Sequence, residues 1–171
     1  RQVLQGEDEP TRVILTVGRL VKRKGVEHFI REILPLIVEE HPSAKYWVVG
    51  EGPQRKRIRE AVRENGLREQ VHLWGKVSSS LLSAIYGRAN VFAMPNVSVP
   101  GEVEGFGIVA LEAALSQTPV VASRLEGLTQ AIADGKNGIL VPADQPEDFA
   151  EQVVALLNDP KKRKQLAQRA A

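Results

Sequence analysis

Short runs of β-branched and apolar residues alternate with longer amphipathic segments along nearly the whole chain. The runs occupy residues 12–17, 45–49, 71–74, 91–94, 119–122 and 138–141. They are almost continuous in hydrophobicity, which is typical of strands buried on both faces of a parallel sheet. Strands that alternate with helices in this way predict a doubly wound, Rossmann-like α/β sheet of six mostly parallel strands, with helices on both faces.

The segments between the runs have the spacing of helices. Within residues 26–40, for example, Phe29, Ile33 and Ile37 recur at four-residue intervals, which places them on one helical face. Further helices are predicted at residues 53–65, 78–87, 107–116, 128–133, 146–157 and 161–170. No linker divides the chain and 171 residues is a usual size for one domain, so we expect a single domain over residues 1–171.

Composition and charge exclude several classes of protein. The chain has no cysteine, which excludes disulfides, iron–sulfur clusters and a cysteine nucleophile. Its longest stretch without a charged residue is 13 residues, 89–101, whereas a membrane span needs about 18 or more. The net charge of +2 is too balanced to indicate a nucleic-acid partner. Two basic runs, 55–59 and 161–164, are interpreted as solvated helix faces, with a membrane-surface or nucleic-acid patch as the alternative.

The segment after the first strand carries four basic side chains between two glycines. Gly18 and Gly25 bound the segment, and the charges come from Arg19, Lys22, Arg23 and Lys24. Ligands of doubly wound sheets bind beyond the carboxyl ends of the strands, which is where this segment lies. An arginine fork and a lysine point charge suit an anion there, above all a phosphate. A solvated basic turn is the alternative.

A second candidate site is the stretch from Glu104 to Glu112, in which seven residues separate the two glutamates. Gly105 and Gly107 open a predicted helix, so unpaired backbone N–H groups and the positive end of the helix dipole converge there, which suits a diphosphate. Glu112 lies about 8 Å along the helix axis, because a helix rises ~1.5 Å per residue. The two carboxylates would bind hydroxyl groups on either side of the diphosphate. Helix-surface charges are the alternative for both.

The same stretch also fits the dinucleotide fingerprint Gly-x-Gly-x-x-Ala. Gly105, Gly107 and Ala110 supply the pattern, and Glu126 would be the ribose-binding acid. That fingerprint requires a strand that runs directly into the first glycine, but here the fourth strand ends near Met94 and a proline-containing loop intervenes. An NAD-binding domain of an oxidoreductase is therefore the less favoured alternative.

Two further turns would face the same edge of the sheet. A Gly-x-Gly-Pro turn follows the second strand, where Gly52 permits either a tight turn or the close approach of a ligand. Lys76 and Val77 follow the third strand, where backbone groups would line a nucleobase.

The motifs of several other enzyme classes are absent. The sequence has no phosphate loop ending in Gly-Lys-[Ser/Thr] and no Gly-x-Ser-x-Gly nucleophile elbow. It has no Asp-x-Asp pair, and His28, His41 and His72 stand at no metal-ligand spacing. We therefore expect no metal, so that lysine, arginine and a helix terminus must neutralise a bound anion.

Five segments, in this order, resemble those of one family: VGRLVKRKG, VVGEGP, EGFGIVALEAAL, TPVVAS and GKNGILVP. From about residue 13 to residue 157, the chain is similar to the nucleotide-sugar-binding C-terminal half of retaining GT-B glycosyltransferases, in the large bacterial group called family 4 or group 1. The resemblance implies one half of a GT-B fold. It also implies a donor-binding domain taken from a longer chain, whose N-terminal acceptor domain is absent here.

The resemblance further implies an activity and its site. A sugar would pass from a nucleoside diphosphate sugar, GDP-mannose or a UDP-sugar, to an acceptor sugar or lipid, with retention and without metal or cofactor. The residues assigned to catalysis are Glu104, Arg19 and Lys24. The motifs and the resemblance together assign donor binding to Gly18, Arg19, Lys24, Gly52, Lys76, Val77, Glu104, Gly105, Phe106, Gly107, Ile108 and Glu112.

Within this set, the resemblance assigns Arg19 and Lys24 to the diphosphate, Glu104 to hydroxyls of the donor sugar, and Glu112 to those of the ribose. Backbone amides would face the phosphates at three positions, Phe106, Gly107 and Ile108. Residues 126–130 depart from the family's Gly-Gly-x-Pro-Glu, which leaves the role of that stretch open.

The resemblance also bears on where the protein acts. It implies a cytoplasmic enzyme, peripheral at the inner face of the plasma membrane when its acceptor is a lipid. The isolated domain is expected to bind the donor without turnover. A non-catalytic nucleotide-sugar sensor is the alternative from a different functional class.

Overall fold

Six strands form one parallel sheet, as the sequence predicts. The computed structural model describes residues 11–103 and 107–170. Its strands are β1 (Val13–Val17), β2 (Lys45–Val49), β3 (Val71–Gly75), β4 (Val91–Met94), β5 (Val120–Ser123) and β6 (Ile139–Val141). Neighbouring strands are parallel throughout, in the spatial order β3-β2-β1-β4-β5-β6. The predicted doubly wound, Rossmann-like fold is confirmed.

Helices connect the strands and cover both faces of the sheet. They are α1 (Val26–His28), α2 (Leu34–Glu40), α3 (Arg55–Glu64), α4 (Ser79–Arg88), α5 (Ile108–Leu115), α6 (Leu128–Ala131), α7 (Pro146–Asn158) and α8 (Pro160–Ala170). Ser78 caps α4, because its side chain accepts a hydrogen bond from the Leu81 N–H. In the described part of the chain, no helix combines the length and the apolar character that a bilayer crossing requires.

The structure departs from the sequence prediction between β1 and α2. Residues 22–24 form a 3-10 turn, which the sequence analysis did not predict. The helix predicted over residues 26–40 contains a π-helical stretch, Phe29–Ile33, between α1 and α2. Pro35 lies in the first turn of α2 and has no N–H to donate, so a regular ladder of hydrogen bonds cannot run through it. The wider turn absorbs this interruption while the apolar residues stay buried.

Alternate residues of the strands pack into two cores, one on each face of the sheet. On the first face Tyr46 packs against Phe29, with ring centroids 4.4 Å apart, and Phe29 packs against Phe149 at 5.9 Å. Trp47 belongs to the second core, together with Phe92 of β4 and alanines of α5. Because helices cover both faces, the strands are apolar on both sides.

α5 presents small residues to the sheet and large ones to the solvent. Ala110 and Ala113 are buried in the second core. Ile108, Leu111 and Leu115 are 67%, 58% and 80% exposed. Since an alanine face lets a helix approach its neighbours closely, α5 lies near the sheet. Since α5 follows β4 in the chain, its amino end lies on the side of the carboxyl edge.

The two basic runs differ in how their charges are used. Arg55 and Arg57 each form an ion pair with a glutamate, at 3.0 and 3.1 Å. Arg163 donates hydrogen bonds to two carbonyl oxygens in the last turn of α7, and so satisfies groups that a helix end leaves unpaired. Lys56 and Lys161 are exposed. The prediction of solvated faces holds for these lysines and is wrong for Arg163.

The carboxyl ends of β1 and β4 mark the point where the strand order reverses. β1 has β2 on one side and β4 on the other, which opens a crevice at this edge. The segment after β1 contacts the segment after β4, where the Val97 N–H donates a hydrogen bond of 3.0 Å to the Arg23 carbonyl oxygen. A Cβ on Gly25 would lie 1.8 Å from the Pro95 carbonyl oxygen, and Gly25 has a φ of +70°. Glycine is therefore needed there for space and for conformation.

Gly25→Ala tests this contact against Gly66→Ala. Both glycines have a left-handed backbone, with φ of +70° and +66°, but a Cβ on Gly66 would have nothing within 4 Å. Gly66→Ala should lower the free energy of unfolding by about 1–2 kcal/mol, the strain of a left-handed residue. Gly25→Ala adds a collision with the Pro95 backbone, so we expect a further ~1–3 kcal/mol. Urea denaturation measures both losses, and equal losses would show that the two segments do not press on each other.

Candidate functional site

The β1 loop, residues 18–25, carries the predicted cationic side chains. Arg19 is exposed at the carboxyl edge, while the adjacent Leu20 is buried. The Lys24 side chain folds back over Gly18, where its Nζ lies 3.9 Å from the position that a Cβ would take. An arginine and a lysine thus stand over the end of β1, the first open to solvent and the second half-buried.

The β2 loop, residues 50–54, lies directly against the β1 loop. A Cβ on Gly50 would be 1.9 Å from the Gly18 carbonyl oxygen, and one on Gly52 would be 2.4 Å from the Leu20 carbonyl oxygen. Leu20 forms hydrogen bonds of 2.9 Å to this loop through both its N–H and its carbonyl group. The contact between the two backbones is sufficient reason for a glycine at position 52. A contact between Gly52 and a ligand stays a prediction.

Lys76 and Val77 follow β3 at the same edge. Gly75 ends the strand with a φ of +68°, and its carbonyl oxygen accepts a hydrogen bond from the Gly50 N–H at 2.9 Å. Lys76 is exposed, and Val77 is half-buried against the second core. Backbone hydrogen bonds thus join the loops after β1, β2 and β3 in a row, with Lys76 at the end of the row that is farther from β1.

The amino end of α5 has features that suit an anion. Gly107 is its N-cap, with a φ of +63°, and offers no side-chain oxygen to the first N–H groups. Those groups have no acceptor within the helix and carry the positive end of its dipole. Such helix ends bind phosphate groups. Three predicted site residues, Glu104, Gly105 and Phe106, lie outside the described residues, so their roles stay predictions.

Glu112 contacts a tyrosine that the sequence analysis did not identify. The Tyr86 hydroxyl donates a hydrogen bond of 2.9 Å to Glu112 Oε2. Burial, and then the adjacent carboxylate, raise the pKa of the Tyr86 phenol, which keeps it protonated. In sequence, Tyr86 fits the pattern as one more apolar residue of α4. A buried tyrosine hydroxyl generally needs a hydrogen-bond partner, and this requirement could have identified Tyr86 as a candidate.

The dinucleotide fingerprint lacks the structural context that it requires. β4 ends at Met94 and α5 begins at Ile108, so the strand does not run directly into Gly105. Glu126 is exposed between β5 and α6. With Glu102 and other residues it lines a cavity of about 140 Å³, and its role stays open.

The groove between β6, α7 and α8 does not favour an anion, and the described residues form no metal site. Within residues 11–103 and 107–170, no group of three or more histidine, aspartate or glutamate side chains is placed to hold a metal ion. A groove of about 560 Å³ lies between β6, α7 and α8, but none of the predicted site residues line it. Its walls mix both signs of charge, as Asp148 and Lys162 illustrate, so the groove does not favour an anion.

The carboxyl edge therefore combines two sources of positive charge. Arg19 and Lys24 stand over β1, and the amino end of α5 follows the neighbouring strand β4. The contact between Gly25 and Pro95 ties the β1 loop to the segment that leads into α5.

A family model for glycosyl transferases group 1 matches residues 3–171. The chain belongs to the glycosyl transferases group 1 family. The resemblance identified from the five motifs is therefore confirmed.

Curated relatives agree with this assignment. A glycosyltransferase of Methanocaldococcus jannaschii is 38% identical over 154 residues, which are 90% of this chain and 38% of that protein. A D-inositol 3-phosphate glycosyltransferase of Corynebacterium urealyticum is 36% identical, over 93% of this chain and 38% of that protein. A GDP-mannose-dependent α-(1-6)-phosphatidylinositol monomannoside mannosyltransferase of Mycolicibacterium smegmatis is 34% identical, over 88% and 40%. The chain spans about two fifths of the length of these relatives.

Solved structures agree with the fold. A point mutant of S. aureus TarM superposes with a TM-score of 0.84 at 23% identity, over 97% of this chain and 32% of that chain. Sucrose-phosphate synthase of Thermosynechococcus elongatus superposes with a TM-score of 0.80 at 31% identity, over 99% of this chain and 41% of that chain.

Gly52→Ala should loosen the β1 and β2 loops without unfolding the domain. The new Cβ would push on the Leu20 carbonyl oxygen, so the hydrogen bonds between the two loops would open more often. Hydrogen exchange at the Leu20 N–H should become about tenfold faster, which corresponds to ~1.4 kcal/mol of local stability. Gly87→Ala, where a Cβ would have nothing within 4 Å, is the control and should leave this amide unchanged. Exchange at Leu20 that does not respond to Gly52→Ala would contradict the prediction.

Proposed function

We propose that this chain is the donor-binding domain of a retaining hexosyltransferase, which transfers a sugar from a nucleoside diphosphate sugar to an acceptor without a metal ion. One observation carries the proposal. The cationic β1 loop and the amino end of α5 lie at one edge of the sheet, after neighbouring strands. A diphosphate between them would be neutralised from both sides, by Arg19 and Lys24 and by the N–H groups that follow Gly107.

The chemical task is to stabilise the leaving nucleoside diphosphate. Negative charge grows on its terminal phosphate as the bond to the anomeric carbon breaks. Fixed N–H groups and cations bind this charge more strongly in the transition state than in the ground state, which lowers the barrier. Each charge-assisted hydrogen bond of this kind contributes about 1.5–3 kcal/mol. Arg19 offers a planar fork of donors, and Lys24 a compact charge.

The other site residues would hold the two ends of the donor. Glu104 would accept hydrogen bonds from hydroxyls of the sugar, and Glu112 from hydroxyls of the ribose. An ionised carboxylate has about four lone-pair sites, which suits a pair of adjacent hydroxyls. Lys76 and Val77 would line the nucleobase with backbone groups.

GDP-mannose is the donor that we favour, with UDP-sugars as the alternative. The relative from Mycolicibacterium smegmatis is named as a GDP-mannose-dependent enzyme and is 34% identical to this chain. The relatives also differ in the glycosyl acceptor that their names give, so the acceptor class stays broad: a sugar or a lipid.

The acceptor site would lie in another part of the protein. This chain spans about two fifths of its relatives, and we propose that an N-terminal domain supplies the acceptor site and completes the cleft. The domain alone would then bind the donor without turnover. With a lipid acceptor, the enzyme would work in the cytoplasm at the inner face of the plasma membrane.

Arg19→Ala and Lys24→Ala should each weaken the binding of GDP and UDP by about tenfold or more, because one charge-assisted hydrogen bond to the diphosphate is lost. Isothermal titration of the 171-residue chain measures this, and EDTA should not change the affinity. Arg63→Ala removes the same charge at the carboxyl end of α3, away from the site, and should have no effect. Nucleotide binding that is indifferent to Arg19 and Lys24 would refute the proposed diphosphate site.

In the full-length enzyme, Glu104→Ala should lower kcat by ~100-fold or more while nucleotide affinity changes by less than about twofold. The reason is that Glu104 would contact the sugar and not the nucleotide. Steady-state kinetics with GDP-mannose, together with titration of GDP, separate the two effects. Glu39→Ala removes an exposed carboxylate of α2 and is the control. A fully active Glu104→Ala enzyme would remove this residue from the mechanism.

A further inference from the structure

Tyr86 is held firmly in the second core. The residue is 3% exposed, and its ring stacks on Phe92 of β4 with centroids 5.7 Å apart. Its carbonyl oxygen accepts a hydrogen bond from the Thr118 hydroxyl at 3.2 Å. The phenolic oxygen therefore has little freedom and occupies a defined point between α4 and α5.

At that point the hydroxyl meets the Glu112 carboxylate. Tyr86 Oη donates to Glu112 Oε2 at 2.9 Å. Burial and the adjacent carboxylate raise the pKa of Tyr86, so the phenol remains a donor throughout the physiological pH range. An ionised carboxylate can only accept, which fixes the direction of the hydrogen bond.

This hydrogen bond uses a small part of what the carboxylate can accept. The Tyr86 hydroxyl is a side-chain donor to Glu112. An ionised carboxylate has about four lone-pair sites, so a single hydrogen bond leaves it capacity to accept hydroxyl groups of a ligand. Glu112 is half-buried on α5, whose amino end faces the carboxyl edge of the sheet. Because side chains lean toward the amino end of their helix, we expect the Glu112 side chain to extend toward that edge.

We infer that Tyr86 is a positioning residue, whose hydroxyl group orients the Glu112 carboxylate for the ribose hydroxyls of the donor. The inference rests on the proposed function, since it assigns Tyr86 a role through Glu112. A glutamate side chain has several rotatable bonds, and ordering it only when the ligand arrives lowers affinity by about threefold to tenfold. Tyr86 orders it beforehand, from a hydroxyl that is itself fixed by the core.

The test compares nucleotides that have ribose hydroxyls with nucleotides that lack them. GDP, UDP and their 2′,3′-dideoxy analogues are titrated into the 171-residue chain. Tyr86→Phe removes one oxygen atom and keeps the ring on Phe92. It should weaken GDP and UDP binding about threefold to tenfold and leave the dideoxy analogues within about twofold. Glu112→Gln should reduce the same selectivity for the ribose hydroxyls.

Tyr46→Phe is the matched control. Tyr46 is a buried tyrosine of the first core, and its hydroxyl donates to Thr16 Oγ1 at 2.8 Å. Its removal also deletes one buried hydrogen bond, so stability should fall as it does for Tyr86→Phe. Selectivity for the ribose hydroxyls should not change, because Tyr46 belongs to the opposite face of the sheet from Glu112 and Tyr86.

The possible results separate the inference from the proposed function. If the wild-type chain binds neither GDP nor UDP, the proposed function fails and the inference falls with it. If the wild-type chain binds the dideoxy analogues as tightly as the natural nucleotides, donor binding stands and the inference is overturned. If Tyr86→Phe lowers the affinity for the natural and the dideoxy nucleotides equally, the role of Tyr86 is only structural and the inference is overturned. If Tyr86→Phe fails to fold, Glu112→Gln provides the test instead. Unchanged selectivity for the ribose hydroxyls in Glu112→Gln would overturn the inference.

Discussion

Close contact between backbones at the carboxyl edge is the constraint on which the site depends. Gly50 and Gly52 lie against the backbone of the β1 loop, and Gly25 lies against the Pro95 carbonyl group. A Cβ at any of these three glycines would collide with the neighbouring backbone. The charged side chains of the β1 loop therefore start from main-chain positions that are held by hydrogen bonds to two neighbouring segments. A site on rigid elements keeps its geometry better than one on a free turn. Less ordering is then left for the moment of binding.

The positions of the strands could be predicted because their pattern is simple. β2 and β4 begin and end at the predicted residues, since each is an apolar run bounded by polar residues or residues that favour turns. The π-helical stretch before α2 could not be predicted in the same way. Pro35 signals an interruption, but where the extra residue is absorbed depends on how Phe29 packs against Tyr46 and Phe149.

The positions of several candidate site residues could be predicted from the sequence, whereas their contacts could not. Motif order points to Arg19, Lys24 and Glu112, because the loops and helices that follow the strands of a doubly wound sheet form its ligand site. Gly52 is ambiguous in sequence, since a tight turn, a ligand and a second loop all require a small residue. The second loop comes from more than thirty residues away in the chain and is visible only in three dimensions. The role of Tyr86 could not be predicted from the sequence for a related reason. Its ring fits the apolar pattern of α4, whereas the polar partner of its hydroxyl lies on α5.

The exposed outer face of α5 has an electrostatic consequence. Ile108 stands at the first position of the helix, and Leu111 follows on the same face. A surface that covered them would displace water from the amino end of α5, and the partial charges there would then act through a lower permittivity. The covering of these aliphatic side chains and the binding of an anion would then be linked equilibria. Whatever covers the helix would favour the bound phosphate, and the phosphate would favour the covered state by the same factor.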